Sequence, residues 1–146
     1  MDTTIWSLRE GRRMLQIGLL LLLFGLLVGF AIPAFVVPRL GLTAHVLGVT
    51  QGILLIVIGL LWTKLKLTRT ASGIGFWMVV YGCFVSWAVT ALAAAWGAGS
   101  SMMPITAGQA HGSAIQEGII TAGLAPSAAA LIAAEAVNKV TIYACD

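Results

Sequence analysis

The sequence predicts an all-α integral membrane protein, a single domain built as a bundle of four transmembrane helices. Three observations carry this expectation. The 146 residues are 60% hydrophobic and only 9% charged, a balance that suits a bilayer better than water. The apolar residues gather into four runs of about 20 residues, enough to cross a hydrocarbon core of roughly 30 Å at about 1.5 Å per residue. Basic residues, in turn, fall almost entirely on one side of the path those runs would trace.

The first predicted helix, 14–37, is broken only by Gln16, glycines and a late Pro33. It lacks the short core and small-residue cleavage site of a removable signal peptide, so it is expected to remain in the mature protein. The second, 42–62, and the third, 73–96, are rich in Leu, Val and Trp. The fourth, 114–136, is Ala-rich and contains Pro126 and Glu135. Arg9, Arg12 and Arg13 precede the first helix, Lys64, Lys66 and Arg69 fill the second loop, and Lys139 follows the fourth helix. Only Arg39 falls on the other side. This asymmetry predicts that both the N and C termini are cytoplasmic. The sequence pI of 9.2 then reflects topology and contact with anionic lipid and requires no nucleic-acid partner. Trp62 and Trp77 are placed as belt residues at the basic interface and Trp96 at the opposite one, while Trp87 lies near mid-membrane, where it packs on a helix or a flat ligand.

Several chemistries lose their usual sequence support. Cys83 and Cys145 form no disulfide framework, CxxC pair or haem-attachment CxxCH. A P-loop, a dinucleotide fingerprint, GxSxG and HExxH are all missing from the sequence. Intramembrane polar groups therefore carry the functional argument, and His45 and Gln51 lead them, since an ionisable residue at that depth is expensive unless it has a task.

On the second helix His45, Gly48, Gly52 and Gly59 project within about 60° of one another at about 100° per residue. Two readings follow. The glycines can form a GxxxG helix contact, matched by Gly25 and Gly29 on the first helix, with His45 bonded to a neighbouring helix. Alternatively His45, Gly48 and Gly52 form a backbone-lined slot for a macrocycle, with imidazole as the axial ligand of a b-type haem iron. Ser86 and Thr90 on the third helix reach a depth similar to that of Gln51, roughly 10 to 16 Å below the outer boundary at about 1.5 Å per residue. The segment from Gly97 to Ser113 adds His111, and Ser113 with Gln116 is placed to form a capping box at the start of the fourth helix.

The stretch from Gly29 to Gly59, with Pro33, Pro38-Arg39-Leu40-Gly41-Leu42-Thr43-Ala44-His45 and the following Gly-x-x-Gln-Gly, resembles the hydroxylaminobenzene mutase family of small bacterial membrane proteins. Phe76-Trp77, Tyr81-Gly82, the Ala-rich run to Trp96, and the Pro104 to Glu117 segment extend the resemblance over about residues 14 to 125. More distantly, the spacing His-x5-Gln-Gly is similar to that of styrene oxide isomerases, membrane enzymes in which the histidine binds haem b in a trimer. The resemblance implies a bacterial inner-membrane isomerase of nitroarene degradation that rearranges hydroxylaminobenzene to 2-aminophenol.

The same resemblance implies haem b on His45, and a homotrimer. Gln51 is then a polar contact to a small aromatic hydroxylamine, His111 and Glu117 are acid–base candidates, and Tyr81, Phe84, Ser86, Trp87 and Thr90 line the substrate pocket. Glu117 is equally placed as a first-turn acid complementing the helix dipole. An epoxide isomerase, a non-catalytic b-type cytochrome and a transport subunit are the alternatives.

Overall fold

The computed structural model describes residues 2–64, 68–103 and 112–143, with the side chains of 2–6, 63 and 135–143 outside the description. Four helices account for nearly all of these residues: α1 Asp2–Ala31, α2 Pro38–Leu61, α3 Arg69–Trp96 and α4 Ala114–Tyr143. Each contains a segment long and apolar enough to span a membrane. The fourth is the least apolar, with a mean hydropathy of 1.5 against 2.6 for the first, as its alanine content leads one to expect.

The helix ends differ from the hydropathy runs for local chemical reasons. α1 starts well before residue 14, and Arg9, Glu10, Arg12 and Arg13 ahead of the apolar run are good helix formers. It stops at Ala31 rather than 37, where Pro33 turns the chain into a 3₁₀ turn, Ile32–Ala34. α2 begins at Pro38 instead of 42, since proline is favoured in the first helical turn, where the N–H it lacks is not needed. α3 begins at Arg69 rather than 73, capped by the Thr68 hydroxyl, which accepts from Ala71 N at 3.4 Å. α4 runs on to Tyr143 through Pro126, and the buried Ser127 donates to Leu124 O at 2.8 Å in that irregular turn.

Packing is by sequential hairpins. α1 lies chiefly on α2, α3 on α4, and α2 joins the two pairs through α3. The core divides into two apolar clusters. One, toward the basic end, contains Leu21, Leu55, Trp62, Phe76 and Cys83. The other, toward the opposite end, contains Val37, Leu40, Ala93, Ala94 and Ile120. Between these clusters along α2 and α3 lies a polar layer, Gln51, Ser86 and Thr90.

The α1–α2 pair is held close by glycine. A Cβ on Gly25 would come 2.7 Å from Val49 N, one on Gly48 2.7 Å from Gly25 Cα, one on Gly52 2.7 Å from Leu22 N, and one on Gly11 2.8 Å from Gly59 O. In the absence of a hydrophobic drive inside lipid, such backbone proximity supplies the dispersion contact that holds helices together. At the basic end Trp62 is buried rather than a belt residue. Its indole Nε1 donates to Glu10 Oε2 and to Ser72 Oγ, both at 3.1 Å, and Ser72 Oγ also donates to Glu10. Trp77, by contrast, is exposed, as a lipid-facing belt residue should be.

Gly48→Ala is expected to lose about 1–3 kcal/mol, because the added methyl meets both the Gly25 backbone and the Trp87 indole, which is itself stacked on Phe24. Gly73→Ala meets nothing within 4 Å, and should be neutral or stabilising by up to about 1 kcal/mol through helix propensity. Detergent-titrated unfolding followed by tryptophan fluorescence measures both.

Candidate functional site

His45 lies in the eighth position of α2, half-buried at the seam with α1. Its Nδ1 is 2.8 Å from the carbonyl oxygen of Gly25. A carbonyl can only accept, so Nδ1 carries the proton and, in the neutral ring, Nε2 keeps its lone pair. Gly29, one turn further along α1, makes room for the ring: a Cβ there would lie 2.7 Å from His45 Nδ1. The pinned imidazole is the form in which histidine serves as a metal ligand, one ring nitrogen fixed by a backbone carbonyl and the other presented.

Gln51 is two turns down the same helix and buried. Its Nε2 donates to Ser86 Oγ at 2.8 Å, while that hydroxyl points its own proton at Gly82 O, 2.7 Å away, or Cys83 O, 3.2 Å away. Ser86 can therefore only accept from Gln51, which fixes the amide orientation. The consequence is that Gln51 Oε1 is buried without a hydrogen-bond partner. Trp87, next to Ser86, stacks on Phe24 of α1 with centroids 5.7 Å apart and planes at 10°. Its indole Nε1 sits over Gly48 and is likewise buried and unpartnered. An orphan acceptor and an orphan donor thus occupy one layer, and each such group costs on the order of 1–3 kcal/mol unless something satisfies it.

Thr90 is buried, and its hydroxyl is committed to Ser86 O at 2.7 Å. Phe84 packs on the basic-end cluster. Tyr81 is 46% exposed on the opposite side of α3 from Gln51, so the structure does not bring it into the polar layer. His111 lies outside the described residues. Glu117 serves a different purpose from acid–base chemistry: its carboxylate accepts from Gly99 N at 2.6 Å, Ser100 N at 3.1 Å and Ser101 Oγ at 3.1 Å. It therefore closes the turn after α3, where Gly97 (φ 66°) and Gly99 (φ 108°) adopt the left-handed backbone that glycine permits. Ser113 and Gln116 form the expected capping box, with Ser113 N donating to Gln116 Oε1 at 2.8 Å and Gln116 N to Ser113 Oγ at 3.4 Å.

The expected glycine slot needs correction. Gly48 and Gly52 face α1 and Trp87 with no space for another atom, so they close the protomer instead of lining a cofactor. The glycine seam likewise offers no argument for contact between copies. Among the described residues no group of three or more His, Cys, Asp or Glu could hold a metal ion. Phe24 and the Gly25 carbonyl were not readable as site components: the GxxxG spacing showed that the helices could approach, but not which carbonyl would meet the imidazole.

The profile of the styrene oxide isomerase family matches residues 10–141. Two proteins of Ectopseudomonas oleovorans are similar over most of the chain. Hydroxylaminobenzene mutase HabB is 47% identical over 113 residues, covering 77% of this chain and 69% of the relative. Hydroxylaminobenzene mutase HabA is 40% identical over 104 residues, covering 71% and 77%. No solved structure matches the chain significantly.

Glu117→Ala should release the Gly99 and Ser100 amides while leaving the four helices intact. Hydrogen exchange by mass spectrometry is expected to show faster exchange confined to the peptides covering that turn; unchanged protection there would mean the carboxylate does not hold it.

Proposed function

The chain belongs to the styrene oxide isomerase family, among the hydroxylaminobenzene mutases, and is a membrane isomerase; we propose that it rearranges hydroxylaminobenzene to 2-aminophenol with haem b held by His45. The observation that carries the reading is the pinned imidazole, with Nδ1 given to Gly25 O and Nε2 left with a lone pair. The relatives' names supply the substrate class.

The reaction is a balanced isomerisation. The N–O bond breaks, a C–O bond forms at the ortho carbon, that carbon loses its proton, and nitrogen regains one. Ferric haem, when bound, supplies a Lewis acid for the substrate oxygen. The chain's own residues do the positioning. Gln51 Oε1, left without a partner by the Nε2 bond to Ser86, accepts from the N–H or O–H of the hydroxylamine. Trp87 Nε1, also buried without a partner, donates to its oxygen only once the indole moves off Gly48, against which it packs. Holding the oxygen beside the ring favours its return to the ortho carbon over escape to water. His111 is the proposed proton carrier, and Glu117 is set aside because the turn after α3 occupies its carboxylate.

The positive-inside distribution supports a bacterial inner-membrane location with both termini cytoplasmic. Sites shared between subunits of a homotrimer are part of the same proposal, because the α1–α2 seam beside His45 is closed within the protomer. The family profile favours a second substrate reading, opening of an aryl epoxide by the same Lewis-acid site.

His45→Ala is expected to remove the Soret absorption and activity together while the protein stays folded in the membrane. Full haem retention would assign the iron to another residue. Gln51→Leu should keep the Soret band but raise KM for hydroxylaminobenzene by about tenfold, the scale of one lost hydrogen bond to substrate. In labelled water, the wild-type 2-aminophenol should carry the substrate's own oxygen; extensive label in its hydroxyl would mean that solvent captures a released cation.

A further inference from the structure

A groove of about 430 Å³ runs along the α1–α2 seam at the basic end, lined by Leu8, Gly11, Arg12, Leu15, Gly59 and Leu60. Its floor is bare backbone, because Gly11 and Gly59 cross too closely for side chains. Its walls are leucines, of which Leu8 and Leu60 are 56% and 62% exposed. Gly59 lies two residues from the end of α2 at Leu61, which puts the groove at the depth where acyl chains meet headgroups.

Among the described residues the charge around the groove is one-sided. Arg12 is exposed on its rim, with Arg13 and Lys64 also exposed at this end of the bundle. Glu10, the nearest carboxylate in sequence, is turned toward α3, where it accepts from Trp62 and Ser72. The anion that would otherwise neutralise Arg12 is thus consumed inside the fold.

We propose that this groove holds one anionic phospholipid of the leaflet at the basic end, its phosphate on Arg12 and an acyl chain along Leu15 and Leu60. A lipid combines the two complementary features in one molecule: negative charge at headgroup depth and a flexible apolar chain that follows a glycine-floored channel. A zwitterionic lipid brings its ammonium into the same basic cluster and is disfavoured.

Native mass spectrometry of the full-length protein, released from mixed phosphatidylglycerol and phosphatidylcholine nanodiscs, tests this. The expected result is one retained phosphatidylglycerol per protomer in preference to phosphatidylcholine. Arg12→Gln should lower that retention about fivefold, the factor given by about 1 kcal/mol per basic residue near the surface, and Arg12→Lys should restore most of it. Arg13→Gln, which does not line the groove, should leave retention close to wild type. Equal retention of the two lipids, or equal loss in the Arg12 and Arg13 variants, would overturn a defined site in favour of diffuse attraction. Displacement by inorganic phosphate at matched concentration would show that only an anion is held. Retention unaffected in Arg12→Gln, with the oligomer distribution shifted instead, would assign the groove to a second copy of the chain.

Discussion

Everything near the site depends on how closely α1 and α2 approach at Gly25 and Gly48. At ordinary helix spacing the Gly25 carbonyl would be out of reach of His45. With no room for a Cβ between the two glycines, Nδ1 meets that carbonyl at 2.8 Å. The glycines thus act on function indirectly. They bring the helices together, and the helices fix which nitrogen of the imidazole remains available.

Polar groups in lipid are tolerated most readily when they are satisfied locally, and satisfied and unsatisfied groups lie side by side where α2 meets α3. Ser86 and Thr90 bond back to the carbonyls of their own helix, the economical solution inside a bilayer. Gln51 Oε1 and Trp87 Nε1 do not. Their position between two apolar clusters keeps both atoms away from other polar groups among the described residues. Glu10, Trp62 and Ser72 at the basic end show the contrasting case of a polar cluster closed upon itself.

The architecture was largely legible because bilayer thickness imposes helix length, and four apolar runs of that length admit few other folds. Pro33, Pro38 and Thr68 set the true ends, and these are local signals that hydropathy averages away. For the site, His45 and Gln51 stood out as rare polar residues at depth. The glycine stripe did not declare its use, since a slot for a ligand and a seat for a helix require the same absence of side chains; the backbone contacts of Gly48 and Gly52 decided for the helix. Trp62 reads as a belt residue from sequence because the carboxylate that draws its indole inward, Glu10, is 52 residues away along the chain. Glu117 looked equally fit for proton transfer until its donors, Gly99 to Ser101, were located.

Through the Gly25 carbonyl, α1 holds His45 in a single tautomer, with Nδ1 protonated and Nε2 unprotonated. Nitrogen NMR of the cofactor-free protein, labelled at the histidine ring nitrogens and assigned through loss of the His45 signals in His45→Ala, reads this directly. The account predicts a protonated Nδ1 with a hydrogen-bonded proton and an unprotonated Nε2. A proton on Nε2 with a bare Nδ1, or fast exchange between the two forms, would contradict it.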